Sequence, residues 1–124
     1  MPPSLVPLPE EANEVKVFRF RAVITLDAPA PGEQARQYPA GTRALMVHCG
    51  RMGCPGQHRC LPTAMYRVDE QPLRRGDAGV VVTMEVADDQ ACAFLAPGRH
   101  FTLWNGTDIG HGVISRRVFF TWAA

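Results

Sequence analysis

Long apolar runs are missing from this chain. No stretch approaches the ~20 consecutive apolar residues that a membrane helix needs, and the first residues, MPPSLVPLPEEAN, contain no basic start followed by an apolar block. The sequence therefore predicts neither a membrane span nor a signal peptide. We expect a cytoplasmic protein that does not act at a membrane.

An excess of charge of one sign is missing as well. Thirteen Lys and Arg residues stand against 12 Asp and Glu residues, which gives a formal net charge of +1. This balance excludes a long-range electrostatic attraction to nucleic acid or acidic lipid. A contact with RNA would therefore need a local basic patch.

A helical period of 3.6 residues is absent from every part of the sequence, whereas period-two alternation recurs. Apolar residues alternate with polar ones from Val15 to Leu26, with one slip near Phe18 that predicts a bulge or a change of face. The same reasoning predicts strands at residues 43–48, 64–68, 78–87, 99–104 and 109–120. The Asn105-Gly106 pair favours a tight hairpin between the last two strands. We predict an all-β fold, a small six-stranded antiparallel β-barrel.

The length of 124 residues leaves room for one domain. Four prolines in residues 1–13 predict a flexible tail, and residues 14–124 form the barrel domain. Residues 28–41 are rich in proline and glycine, so they form a long excursion that holds neither a helix nor a central strand.

Several strings in the sequence resemble a known family. LRRGDAGVVVTMEV at residues 73–86 and PGRHFTLWNGTDIGHGVISR at residues 97–116 resemble the C-terminal, third β-barrel domain of elongation factor Tu and related translational GTPases. FRFRAVITLD and PGEQARQYPAGTRALMV, at residues 18–27 and 31–47, are similar to the first strand of that domain and the segment after it. The resemblance runs from about Val17 to Val118 and implies a stand-alone barrel of this type.

The resemblance also implies a function. The phosphate-binding pattern G-x-x-x-x-G-K-[ST] is absent, so we expect no GTPase activity and no bound nucleotide. In the family, the excursion and the last hairpin contact the T stem of aminoacyl-tRNA. Asp108 stands nearest the place of one family arginine, and a carboxylate beside phosphate weakens such a contact.

We therefore expect a non-enzymatic binding module with a protein or RNA partner, tRNA being one candidate. The residues predicted to bind the partner are Arg36, Arg43, Arg99, Trp104, Asn105 and Gly106.

The segment HCGRMGCPGQHRC, residues 48–60, has no counterpart in that family. Cys49, Cys54, His58 and Cys60 have donor types that suit a tetrahedral zinc site on a loop insertion. The alternative is a loop with reduced thiols or with one disulfide, such as Cys49 with Cys60. A metal-binding protein, or a small zinc- or thiol-dependent enzyme, built on this loop is the alternative function. No general base stands at a recognisable spacing.

Overall fold

Six antiparallel strands close into a barrel in the order β1-β6-β4-β3-β7-β8, which confirms the predicted fold class. The computed structural model describes residues 15–33, 36–50, 53 and 56–123, with the backbone alone for residues 15, 16 and 119–123. The tail predicted for residues 1–13 lies outside this part of the chain. The elements are β1 (Val15–Leu26), β2 (Gln37–Tyr38), β3 (Met46–Gly50), β4 (His58–Arg67), β5 (Leu73–Arg74), β6 (Val80–Val86), α1 (Ala91–Phe94), β7 (His100–Trp104) and β8 (Asp108–Ala123).

Strand β1 shows why the alternating sequence forms a barrel wall. Every second side chain points into the core and is at least 93 % buried: Phe18, Phe20, Ala22, Ile24 and Leu26. The residues between them face outward. The bulge or change of face predicted near Phe18 is not found there, because β1 pairs with β8 without a break from Val15 to Arg19, and the two register shifts, at Arg19/Phe20 and Arg21/Ala22, each come from one extra residue on β8. The inner face nevertheless stays continuous along the described side chains of β1.

The segment expected to be a Cys/His-rich loop is different in the structure, because its two ends are strands. Strands β3 and β4 pair from Met46↔Pro62 to Gly50↔His58, so the hairpin reaches well into the predicted loop. β4 pairs with β6 only from Thr63 onward. The first residues of β4 therefore have a neighbour on one side alone, where Pro62 is tolerated in a strand.

The two ends of the barrel differ. At the cap end, β1, β4 and β7 finish and the other barrel strands begin. There β2 pairs with β5. Their side chains Tyr38 and Leu73 cover the core and are only 4 % and 2 % exposed, respectively. The hairpin end carries the β3–β4 turn and α1. Among the described residues, no helix is long and apolar enough to cross a membrane.

Two glycines make the closing contact of the barrel possible. Gly110 and Gly112 are buried on β8, between β1 and β7. A Cβ at Gly110 would collide with the backbone oxygen of Thr25, and one at Gly112 would lie 2.5 Å from the Phe101 ring. The sequence Gly-His-Gly thus brings three strands together while His111 faces outward.

Candidate functional site

Five of the six residues predicted to bind a partner lie at the cap end. Trp104 ends β7, and Asn105 and Gly106 form the turn that follows. The Asn105 side-chain amide lies 3.5 Å from the Tyr38 hydroxyl, which ties this turn to the segment after Arg36. Arg36 and Arg43 are exposed in the same connection. The structure therefore brings these five residues to one end of the barrel.

Arg99 is separated from them, because it precedes β7 and lies at the hairpin end. Its Nη2 donates a hydrogen bond of 2.5 Å to the backbone oxygen of Gly50. Its Nε is buried and has no partner among the described residues. Arg99 therefore stabilises the end of β3 against β7, which is a structural role.

The three predicted zinc ligands that the structure describes do not share a face. Cys49 points into the core and is 5 % exposed, whereas His58 and Cys60 are exposed on the outside of the hairpin. Cys54 lies outside the described residues. In the described part of the chain, no three His, Cys, Asp or Glu side chains converge as a metal-binding group. Cys49 and Cys60 are free thiols on opposite faces, an arrangement that a disulfide could not join without movement of the backbone.

All four histidines of the chain instead line one groove on the outside of the barrel. Thr102 on β7 pairs with His48 on one side and with His111 on the other. His58 and His100 lie nearer the hairpin end of the same groove, which has a volume of about 540 Å³. Of these, His48 and His58 are close neighbours, with ring centroids 5.6 Å apart.

A second outer face was not predicted from the sequence. Four neighbouring strands place Tyr66, Thr83, Arg21 and Arg116 in one row, since Tyr66 pairs with Thr83, Thr83 with Arg21, and Arg21 with Arg116. Tyr66 is 38 % exposed. Tyr66, Thr83 and Arg21 also line one shallow groove of about 480 Å³.

A row of valines runs beside that row. Val23 pairs with Val81 on one side and with Val113 on the other. The Val68 amide donates to the Val81 carbonyl at 3.1 Å and extends the row by one residue. Val68 and Val81 are 49 % and 42 % exposed. We call these two rows of four residues the valine–arginine face.

The arginines of this face differ in their partners. Arg19 lies two residues before Arg21 on β1 and donates a hydrogen bond of 2.5 Å to the Glu85 carboxylate. Arg21 and Arg116 make no ion pair within the part of the chain that the structure describes, and the Arg21 Nε is buried without a hydrogen-bond partner there. The face therefore combines two exposed and two half-buried valines with two arginines that pair with no carboxylate among the described residues.

One signal in the sequence could have found this face. Arg19 and Arg21 are two residues apart on an alternating strand, so they must share its outer side. Their partner Arg116 could be recognised only by knowing that the first and last strands pair.

We also compared the chain with known proteins. No family model, no curated protein and no solved structure matches it.

Proposed function

We propose that this protein is a non-enzymatic binding module that docks a protein partner on the valine–arginine face. The observation that carries this proposal is the row with Arg21 and Arg116, which pair with no carboxylate in the described part of the chain, beside a row of four valines of which Val68 and Val81 are exposed. Arginine and tyrosine are enriched in protein interfaces and at their strongest contacts. Contiguous apolar side chains on a surface mark sites that a partner covers.

The chemistry of the face specifies the partner. Two guanidinium groups without counter-charges would bind carboxylates of a partner, and the valines would pack against apolar side chains beside them. Four strands about 4.8 Å apart make each row about 14 Å long. This extent suits a short acidic and apolar segment of a partner, rather than the broad surface of a second domain.

RNA is the weaker candidate for this face. Phosphate contacts dominate the affinity of proteins for nucleic acid, and two uncompensated arginines in a chain of net charge +1 offer few of them. The relation to the third domain of elongation factor Tu is likewise a proposal, supported by the sequence resemblance and the six-stranded barrel. It would place an RNA at Arg36 and Arg43 on the cap end, so those residues provide a matched control.

The test is affinity capture from native cytosol with the full chain. We compare the wild type, the face variant Arg21→Glu/Arg116→Glu and the cap variant Arg36→Glu/Arg43→Glu, each with and without nuclease. Both double variants change two arginines to glutamates, so total charge is matched. We expect one protein to be retained by the wild type and the cap variant, resistant to nuclease, and lost from the face variant.

Two results would contradict the proposal. If the face variant still captured the protein and the cap variant did not, the partner would bind at the cap end. Capture that disappears with nuclease would show that RNA is the partner. Circular dichroism of each variant establishes that the barrel is folded in the comparison.

A further inference from the structure

The outer side of the β3–β4 hairpin brings three soft donors together. His48 is the direct cross-strand partner of Cys60. His58 precedes Cys60 by two residues on β4, so both project from the same side of the strand. Directly opposite residues have Cβ atoms about 4.5–5.5 Å apart. We propose that His48, His58 and Cys60 bind a divalent transition-metal ion of the zinc class.

The two imidazoles already have a suitable separation. Their ring centroids are 5.6 Å apart and their planes are inclined by 49°. With Zn–N bonds of about 2.1 Å, two imidazoles on one tetrahedral ion have centroids about 5 Å apart. Neither ring makes a hydrogen bond to another side chain among the described residues, so ring nitrogens are available to an ion.

Gly50 lies directly beside the His58 ring. It is the cross-strand partner of His58 and presents no side chain. A Cβ built there would lie 3.5 Å from the His58 Cε1. The ring therefore rests against the backbone of Gly50, on the side of β3 that carries His48.

Cys60 completes the site by a rotation about χ1. The three donors do not converge before the ion arrives. The Cys60 thiol is exposed and free, and nothing among the described residues holds it by a hydrogen bond. A cysteine side chain moves between staggered rotamers without a change of backbone. The thiol proton passes to solvent as the sulfur binds the ion, and water occupies the remaining position.

This ligand set differs from the one that the spacing of the sequence predicts. His48 replaces Cys49, because Cys49 faces the core. His100 and His111 belong to the same groove but come from β7 and β8. They therefore serve as matched controls for the effect of removing a histidine from this groove.

The experiment is a titration of the reduced full-length protein with Co²⁺, whose absorption reports tetrahedral geometry and thiolate ligation, followed by competition with Zn²⁺. We expect binding of one ion with a thiolate-to-cobalt band. Loss of an outer-shell partner alone costs about 10- to 100-fold in affinity. His48→Ala, His58→Ala and Cys60→Ser should each therefore weaken binding by more than about tenfold. His100→Ala, His111→Ala and Cys49→Ser should change it by less than about threefold.

Three results would overturn the proposal. These are no binding by the wild type, binding without a thiolate band, and unchanged binding in His48→Ala. If Cys54→Ser abolished binding while His48→Ala did not, the ligand set would include Cys54 in place of His48. Far-ultraviolet circular dichroism of every variant without metal shows that loss of binding does not reflect loss of the fold.

Discussion

Arg21 on β1 and Arg116 on β8 are direct cross-strand partners at the seam where the first and last strands of the barrel meet. Like charges at opposite positions of an antiparallel pair destabilise a sheet by about 0.2–1 kcal/mol. No carboxylate of the described chain pairs with either residue, whereas the neighbouring Arg19 is paired with Glu85. The seam thus places two like-charged residues opposite each other, although the Arg116 side chain lines a separate groove with Cys92 and Pro97.

Removing one charge from this pair should stabilise the free protein. We expect Arg21→Met to raise the free energy of unfolding by about 0.5–1 kcal/mol, because it removes the repulsion and the buried Nε that lacks a partner. Equilibrium unfolding in urea measures the change. Arg19→Met is the control, and it should lower stability by up to about 1 kcal/mol because it leaves Glu85 without its partner. A destabilised Arg21→Met would show that the guanidinium contributes favourable contacts instead.

The closing glycines should not tolerate a side chain. Gly110→Ala should lower the free energy of unfolding by about 1–3 kcal/mol, because its Cβ meets the backbone oxygen of Thr25, which cannot move without displacing β1. Gly50→Ala is the matched control. Its Cβ would find its nearest neighbour at an ordinary 3.5 Å, so stability should change little. Thermal unfolding of the two variants compares them directly, and equal midpoints would disprove this account of β8.

Stability should also fall in alkali because of Cys49. Burial raises the pKa of its thiol from 9.0 to about 11, while the nearby Arg99 acts in the opposite direction. Below pH 9 the thiol is protonated in both the folded and the unfolded chain, so its contribution is complete. Between about pH 9 and pH 11 the unfolded chain loses the proton first, and stability declines as the pH rises.

Urea midpoints at pH 8 and pH 10 test this dependence. Cys49→Ala should remove part of the decline, whereas Cys60→Ala, at an exposed position on the other face, should leave it in place. If both variants declined as the wild type does, the Cys49 thiol would not be the group responsible.

The sequence was sufficient for the features that depend on local patterns. The alternation in β1 predicted both its bounds and its inner face, since period two assigns each side chain to one side of a strand. The hairpin of β3 and β4 was missed in part because the segment of residues 48–60, rich in glycine, cysteine and histidine, was interpreted as a loop. Cross-strand hydrogen bonds extend those strands all the same.

The sequence alone could not predict the register of the strands or the closure of the barrel. Cys49 and His48 are neighbours that must face opposite ways, and the pairing of Val47 with Leu61 decides that Cys49 is the one inside. Similarly, Arg21 meets Arg116 only because β1 pairs with β8 at the far end of the chain. The valine–arginine face arises from this long-range pairing, so local periodicity indicated only the outward side of β1 and not the residues of the other strands.

Site-specific photo-cross-linking shows directly whether a protein docks on the valine–arginine face. A benzoylphenylalanine at Thr83, in the middle of the valine–arginine face, is compared with one at Gln71, exposed at the cap end, in a nuclease-treated native cell lysate. We predict a protein adduct from position 83 that Arg21→Glu/Arg116→Glu suppresses, and none from position 71. An adduct from position 71 alone, or one from position 83 that the double variant leaves unchanged, would contradict the proposed docking surface.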